Sequence, residues 1–180
     1  MRILGVDPGS IITGWGLIDG SPSRPELLDC GLIRLSGADF ATRLAVLRNQ
    51  FEELLERLHA DSSAVESPFQ GTNPRSALHL AHARGVILAG LAAAGIEVAE
   101  YTPATVKKSV TGNGRAAKPQ VQTMVYKLLA TSARSTSSDL SDALAVALCH
   151  QASRGFSSRC PRPTPARTGR SGQIVDPETR

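Results

Sequence analysis

Met1-Arg2-Ile3-Leu4-Gly5-Val6-Asp7-Pro8-Gly9-Ser10 is the stretch on which the reading of the remaining chain turns. Ile3, Leu4 and Val6 form a short apolar run with β-propensity, and Pro8-Gly9 is turn chemistry that ends it. Asp7 therefore stands where a buried strand meets a tight turn. Two readings of its carboxylate are open. It bonds the backbone of its own turn, as turn-initiating aspartates do. Alternatively it is a ligand or catalytic group at the carboxyl end of a central strand, where open α/β sheets keep their sites.

The 180 residues suffice for one domain with a proper core and are few for two. Lys and Arg number 20 against 16 acids, a net charge of +4. That excess sits at the end of the chain, where Arg154, Arg159, Arg162, Arg167, Arg170 and Arg180 face only Asp176 and Glu178. Residues 1–150 are neutral. Overall charge therefore gives no argument that the folded body binds nucleic acid, and such an argument has to come from local clustering. Cys30, Cys149 and Cys160 show no close-pair metal spacing and read as reduced thiols of a cytoplasmic protein. No apolar run approaches the roughly 18 residues of a bilayer span, and the N-terminus enters a strand without a signal-peptide layout.

Outward from Asp7, residues 13–19 and 27–35 read as two further strands separated by the breaker Gly20-Ser21-Pro22-Ser23, in antiparallel pairing. Asp39 is placed to cap a helix from Phe40, in which Leu44, Leu47, Phe51, Leu54, Leu55 and Leu58 recur at helical spacing. Residues 62–66 form a fourth strand ended by Ser67-Pro68, so Glu66 repeats the arrangement of Asp7. Residues 75–94 are a helix whose Ala77, Ala81, Gly85, Ala89 and Ala92 give a small-residue stripe. That face suits packing on its own sheet or a helix–helix dimer contact equally well. A fifth strand follows over 96–101, then a helix opened by Thr102-Pro103, a basic segment with Lys107, Lys108, Arg115 and Lys118, and a helix near Pro119. The last helix begins near Ser138. Asp139 and Asp142 project from one face of its first turn, ahead of an apolar run. Residues 1–155 form the domain, and 156–180, rich in Arg, Pro and Ser, read as a disordered basic tail.

This order predicts an α/β fold: a five-stranded mixed sheet with the first strand central and helices on both faces. Asp7 and Glu66 then end neighbouring strands, and the last helix brings Asp139 and Asp142 to the same place. Singly, each acid has an ordinary explanation, such as the preference of acids for helix N-termini. Together they repel, and burial raises the cost of ionising them. Oxygen-only ligands suit Mg²⁺ or Mn²⁺, and two such ions would serve in-line phosphoryl displacement.

The set Gly5-Val6-Asp7-Pro8-Gly9-Ser10 with Thr13-Gly14-Trp15-Gly16, Glu66-Ser67-Pro68-Phe69, Ser76-Ala77-Leu78 with Ala83-Arg84-Gly85-Val86, Val106-Lys107 with residues 112–118, and Asp139-Leu140-Ser141-Asp142-Ala143-Leu144-Ala145 resembles the RuvC-type Holliday-junction resolvases of the ribonuclease H-like superfamily. The resemblance covers residues 1 to 152. It implies that Asp7, Glu66, Asp139 and Asp142 are the catalytic and metal-binding acids, with two Mg²⁺ or Mn²⁺ ions per site. It implies DNA-contacting roles for Phe69, Arg75, Lys107, Arg115 and Lys118. It further implies homodimerisation through the helix at 75–94, and cooperation with a branch-migration motor complex of the RuvA and RuvB type. The implied activity is symmetric nicking of four-way DNA junctions in recombination and repair, leaving 5′-phosphate and 3′-hydroxyl ends. Three rivals remain: a two-lobed sugar-kinase or actin-type ATPase, disfavoured by length; a same-fold nuclease with another substrate; and a junction-binding module without catalysis.

Overall fold

The structure is a computed structural model that describes residues 1–67, 74–130 and 137–157. Its elements are β1 (Ile3–Asp7), β2 (Ile12–Ser21), β3 (Arg24–Arg34), α1 (Phe40–Leu58), β4 (Ser62–Glu66), α2 (Pro74–Ala93), β5 (Glu97–Tyr101), α3 (Pro103–Thr111), α4 (Lys118–Leu128) and α5 (Ser138–Ser157). The five strands form one sheet in the order β3-β2-β1-β4-β5. β1 is antiparallel to β2 and parallel to β4, and β4 is parallel to β5. The first strand is thus central in a mixed sheet, as expected. The β2–β3 hairpin is longer than the sequence breaker suggests: pairing continues to Ser21↔Arg24, and only Pro22 and Ser23 lie outside it. Gly20, paired with Pro25 just before the reversal, has a φ of +88°, a backbone conformation that favours glycine.

Strand alternation sends side chains to two different cores. Leu4 and Val6 of β1 join Trp15, Leu17, Val65 and the buried side of α1, including Leu47, Phe51 and Leu54. Ala83, Ile87 and Leu91 of α2 complete that layer. Ile3, Ile18 and Ala64 face the opposite way, into a core with Val106, Val125, Leu144 and Val146 from α3, α4 and α5. Each fully buried Leu, Ile or Phe contributes about 1.5–3 kcal/mol. α1 is capped by Asp39, whose Oδ1 accepts from Thr42 N at 2.8 Å, and α3 by Thr102, whose Oγ1 accepts from Thr105 N at 3.3 Å.

α5 lies unusually close to the sheet because glycines line its track. A Cβ on Gly5 would overlap the Ala143 carbonyl oxygen and lie 2.6 Å from Ala147 N. One on Gly14 would overlap the Asp139 carbonyl and lie 2.8 Å from its carbon, and one on Gly16 would collide with Leu144. The helix backbone rests almost directly on the backbone of β1 and β2.

α2 behaves differently. Its inner face is Ala83, Ile87 and Leu91, whereas Ala81, Gly85, Ala89 and Ala92 of the small-residue stripe are exposed, with Leu78 beside them at 57% exposure. The stripe is therefore not what packs on the sheet. By length and composition α2 also meets the requirement for a bilayer span, with a mean hydropathy of 1.2. No uninterrupted apolar run marks the segment in the sequence, because Arg75, His79, His82 and Arg84 punctuate it. Within the fold α2 packs along α1 and β5, and Arg84 forms an ion pair with Glu100 of β5. Residues 158–180, most of the stretch read as a tail, lie outside the described residues, while α5 continues to Ser157.

The glycine seat has a direct test. Gly5→Ala lowers stability by about 1–3 kcal/mol through overpacking, seen as a lower denaturant midpoint at unchanged m-value. Gly85→Ala, where an added Cβ meets nothing within 4 Å, leaves stability unchanged or raises it by up to about 1 kcal/mol. Equal losses in both variants would contradict this packing.

Candidate active site

The strand registers and the glycine seat together assemble the site. Gly5 and Asp7 are two residues apart on β1, so Asp7 points to the α5 side of the sheet. On β4, Ala64 faces that same side, and so does Glu66 two residues on. The β1–β4 register pairs Val6 with Val65, which sets Asp7 and Glu66 side by side at the carboxyl ends of parallel strands. Gly14 pairs with Asp7 across β1–β2, and its bare Cα admits the first turn of α5 at Asp139. The turn after Asp7 is closed by Thr13, fully buried, whose Oγ1 accepts from Gly9 N at 3.3 Å.

The electrostatics register this convergence. Burial, then the charges of Glu66, Asp142 and Asp139, push the Asp7 carboxyl from 3.8 up to about 8, with Lys118 opposing them. Burial and Asp142 raise Glu66 as well, while Lys118, a hydrogen bond from Asp7 and Lys107 act the other way. The two carboxyls lie within hydrogen-bonding reach of each other, and the higher pKa of Asp7 favours its protonated form. Lys118, at the start of α4, places Nζ 2.9 Å from Asp142 Oδ2, and this hydrogen bond raises the lysine further. Asp139 lies further out, where its Oδ2 accepts a 3.5 Å hydrogen bond from Ser137 Oγ.

Asp7, Glu66 and Asp142 therefore gather around one another with Lys118, and Asp139 and Lys107 contribute charge from the edge. Arg115 lies in the bend between α3 and α4, its N donating to Asn113 Oδ1 at 2.9 Å. Arg75 is in the first turn of α2. Phe69 lies outside the described residues. The sequence reading quoted Thr13, Gly14 and Gly16 within a motif but gave them no role; the structure shows the glycines under α5 and Thr13 closing the turn. The available signal was two glycines at i and i+2 inside an otherwise apolar strand.

As the side chains lie, no three His, Cys, Asp or Glu groups among the described residues close on a single point at ion-binding distance. The Lys118 ammonium, 2.9 Å from Asp142, supplies positive charge beside the acids. The donor set nonetheless fits a hard divalent cation: it is all oxygen, and burial together with the neighbouring acids raises the cost of ionising Asp7 without a counter-charge.

The family model for crossover junction endodeoxyribonuclease RuvC matches residues 3–150. The chain belongs to the RuvC family. A crossover junction endodeoxyribonuclease RuvC of Alkalilimnicola ehrlichii is 46% identical over 149 residues, covering 83% of this chain and 90% of the relative. The structure of Thermus thermophilus RuvC in complex with Holliday junction substrate superposes with a TM-score of 0.79 at 31% identity, covering 88% of this chain and 95% of that one. The yeast mitochondrial Holliday junction resolvase Ydc2 shares the fold, with a TM-score of 0.64 at 15% identity over 87% of this chain and 83% of its own. The five-stranded sheet of this RuvC family member is accordingly the ribonuclease H-like fold of that family.

The proton on Asp7 makes stability depend on pH. Between 3.8 and about 8 the native carboxyl keeps a proton that the unfolded chain has lost. Stability of the metal-free protein therefore falls as pH rises through that window. In thermal melts with chelator, Asp7→Asn removes most of this slope. At pH 8 it is more stable than wild type by at least about 1.4 kcal/mol, the equivalent of one pKa unit. Identical pH profiles for the two proteins would contradict the assignment.

Proposed function

We propose that this RuvC family member is a structure-specific endonuclease that resolves four-way DNA junctions by symmetric, divalent-metal-dependent nicking of two opposing strands, in recombination and repair. The observation that carries the reading is the charge crowding at Asp7. The β1–β4 register sets Glu66 beside it, and the seating of α5 on Gly5 and Gly14 brings Asp142 to the same end of the sheet, with Asp139 at the edge. Asp7, Glu66 and Asp142 would hold the ions, with Asp139 reached from the same helical turn. Mg²⁺ or Mn²⁺, two per site, is the proposed cofactor. When bound, such ions supply Lewis-acid activation for phosphodiester hydrolysis, giving 5′-phosphate and 3′-hydroxyl ends.

The chain's own residues have separable tasks. Asp7 and Glu66 would hold a cation as carboxylates, which a raised Asp7 pKa makes dependent on pH. The Lys118 side chain, 67% exposed, can turn from Asp142 towards a phosphate oxygen. Lys107, already close enough to act on Glu66, adds positive charge beside it. Arg75 and Arg115 serve as backbone contacts further along the same rim, and Phe69 as a stacking residue near the junction centre. Two copies joined through the exposed stripe of α2 would present two such sites related by a two-fold axis, which paired nicking needs. Support for that interface is the unfilled space at Gly85 and the exposure of Leu78. Partnership with a RuvA- and RuvB-type motor rests on family membership.

The test uses a synthetic four-way junction, a duplex and a Y-fork with Mg²⁺ or Mn²⁺. Wild type makes symmetric nicks confined to the junction. Asp7→Asn loses at least about 10²-fold in nicking while junction affinity stays within about 3-fold. Equal cutting of all three substrates, or an active Asp7→Asn, would overturn the reading. Gly85→Leu fills the stripe, so sedimentation shows a shift to monomer and paired nicks become single ones. An unchanged dimer would remove α2 as its interface.

A further inference from the structure

Lys107, Arg115 and Lys118 approach the carboxylates from one side only. They belong to α3, α4 and the bend between them, and α3 opens directly after β5, the edge strand beside β4. A DNA strand nicked in its interior carries phosphates on both sides of the bond that breaks. On the other side of the carboxylates the sheet ends in the rim of β2 and β3, where β2 starts and β3 finishes.

Arg34 stands on that rim. It is the last residue of β3 and pairs with Ile12, the first of β2, two residues beyond the Gly14↔Leu32 pair. Cross-strand partners share a face of the sheet, and a Cβ on Gly14 would meet Asp139 of α5. Arg34 therefore projects from the same face as Asp7 and Glu66, whereas Ile33 and Leu35 on either side of it are buried in the core with α1 and α2. Crossing two strands and rising two residues sets its Cα about 12 Å from that of Asp7. The stripe of α2 through which two copies would join belongs to the opposite face of the sheet.

The guanidinium there is exposed and unneutralised. Arg24, Arg48, Arg57, Arg84 and Arg154 each meet a carboxylate, but among the described residues Arg34 has no ion pair. Residues 8–12 and 32–38 contain no acid, Asp39 is committed to capping α1, and Asp139 accepts from Ser137 instead. Nothing covers this corner: Ile11, next along the rim, is the most exposed large hydrophobic among the described residues, at 66%. Yet the corner is fixed, since Leu35 N donates to the Ile11 carbonyl oxygen at 2.8 Å beyond the Ile12↔Arg34 pair. A planar fork of donors held by a sheet end suits a phosphate diester, which it can grip through two oxygens. We propose that Arg34 binds a backbone phosphate of the strand being nicked, on the β3 side of the scissile bond. That strand is then held from both sides of the carboxylates, by α3 and α4 on one and by β3 on the other. The inference rests on the junction reading given above.

The experiment first maps the nick that wild type makes in a synthetic four-way junction with Mg²⁺. Affinity of the full chain for that junction is then measured by fluorescence anisotropy in EDTA, where no strand is cut. Single methylphosphonate linkages, each removing one phosphate charge, are placed in turn on both sides of the mapped bond. Arg34→Gln weakens binding of the unmodified junction about 10-fold and flattens its salt dependence by about one charge per chain. Arg34→Lys recovers part of the loss. One methylphosphonate, within about four nucleotides of the nick, weakens wild type but not Arg34→Gln, which has already lost that contact. Arg24→Gln removes an exposed arginine at the other end of β3, several Debye lengths of about 10 Å away, and stays within about 2-fold of wild type. No loss in Arg34→Gln, an equal loss in Arg24→Gln, or one methylphosphonate profile shared by wild type and Arg34→Gln would overturn the proposal. Symmetric nicking by wild type leaves the junction reading standing in that event; a chain that neither binds nor nicks the junction overturns both.

Discussion

The contact between the backbone of α5 and the glycines of β1 and β2 is the constraint from which the site follows. A helix normally rides on a sheet through a layer of side chains. Here Gly5 and Gly14 remove that layer, and the carbonyls of Ala143 and Asp139 come down onto the strands. The first turn of α5 is thereby lowered to the level of the strand ends, where Asp7 and Glu66 emerge. The approach that builds the core with Ala143, Leu144 and Ala147 also delivers Asp142 to the other acids.

Such an arrangement works against folding. Carboxylates set side by side and half-buried destabilise the native state, and this is offset by a raised Asp7 pKa, which favours its protonated form, and by the ammonium of Lys118 against Asp142. Both are replaceable. A proton leaves at higher pH, and a lysine on the first turn of α4 can swing outward. The site is held in an unfavourable but reversible charge state, a common balance between stability and activity at catalytic centres. The opposite end of α5 is secured by other means: His150, buried, bridges Ser62 Oγ at 2.7 Å and Tyr101 OH at 2.9 Å, joining the helix to β4 and β5. Strain at one end is met by fully satisfied polar contacts at the other.

Much of this was readable in the residues, for identifiable reasons. Alternating apolar strands, the caps Asp39 and Thr102, and the helical repeat from Leu44 to Leu58 are local signals, and local physics decides them. The central place of β1 and the pairing of Asp7 with Glu66 followed from element order. The glycine seat was harder, because a glycine in a strand reads locally as weakness. Its meaning comes only from a helix at the other end of the chain. The small-residue stripe of α2 was ambiguous for a related reason. A smooth face permits close approach but does not name the neighbour, and only the fold shows that Ala83, Ile87 and Leu91 serve the sheet while Gly85 and Ala89 do not.

The central claim is that the glycine seat brings acids from β1, β4 and α5 onto a shared cation position. Anomalous diffraction at the manganese edge from crystals of the full chain equilibrated with Mn²⁺ tests it most directly. The account predicts a peak about 2.0–2.2 Å from an Asp7 carboxylate oxygen, shared with Glu66 or Asp142, and with Lys118 turned away. Manganese bound elsewhere, with the Asp7–Glu66 hydrogen bond and the Lys118–Asp142 pair intact, would contradict it.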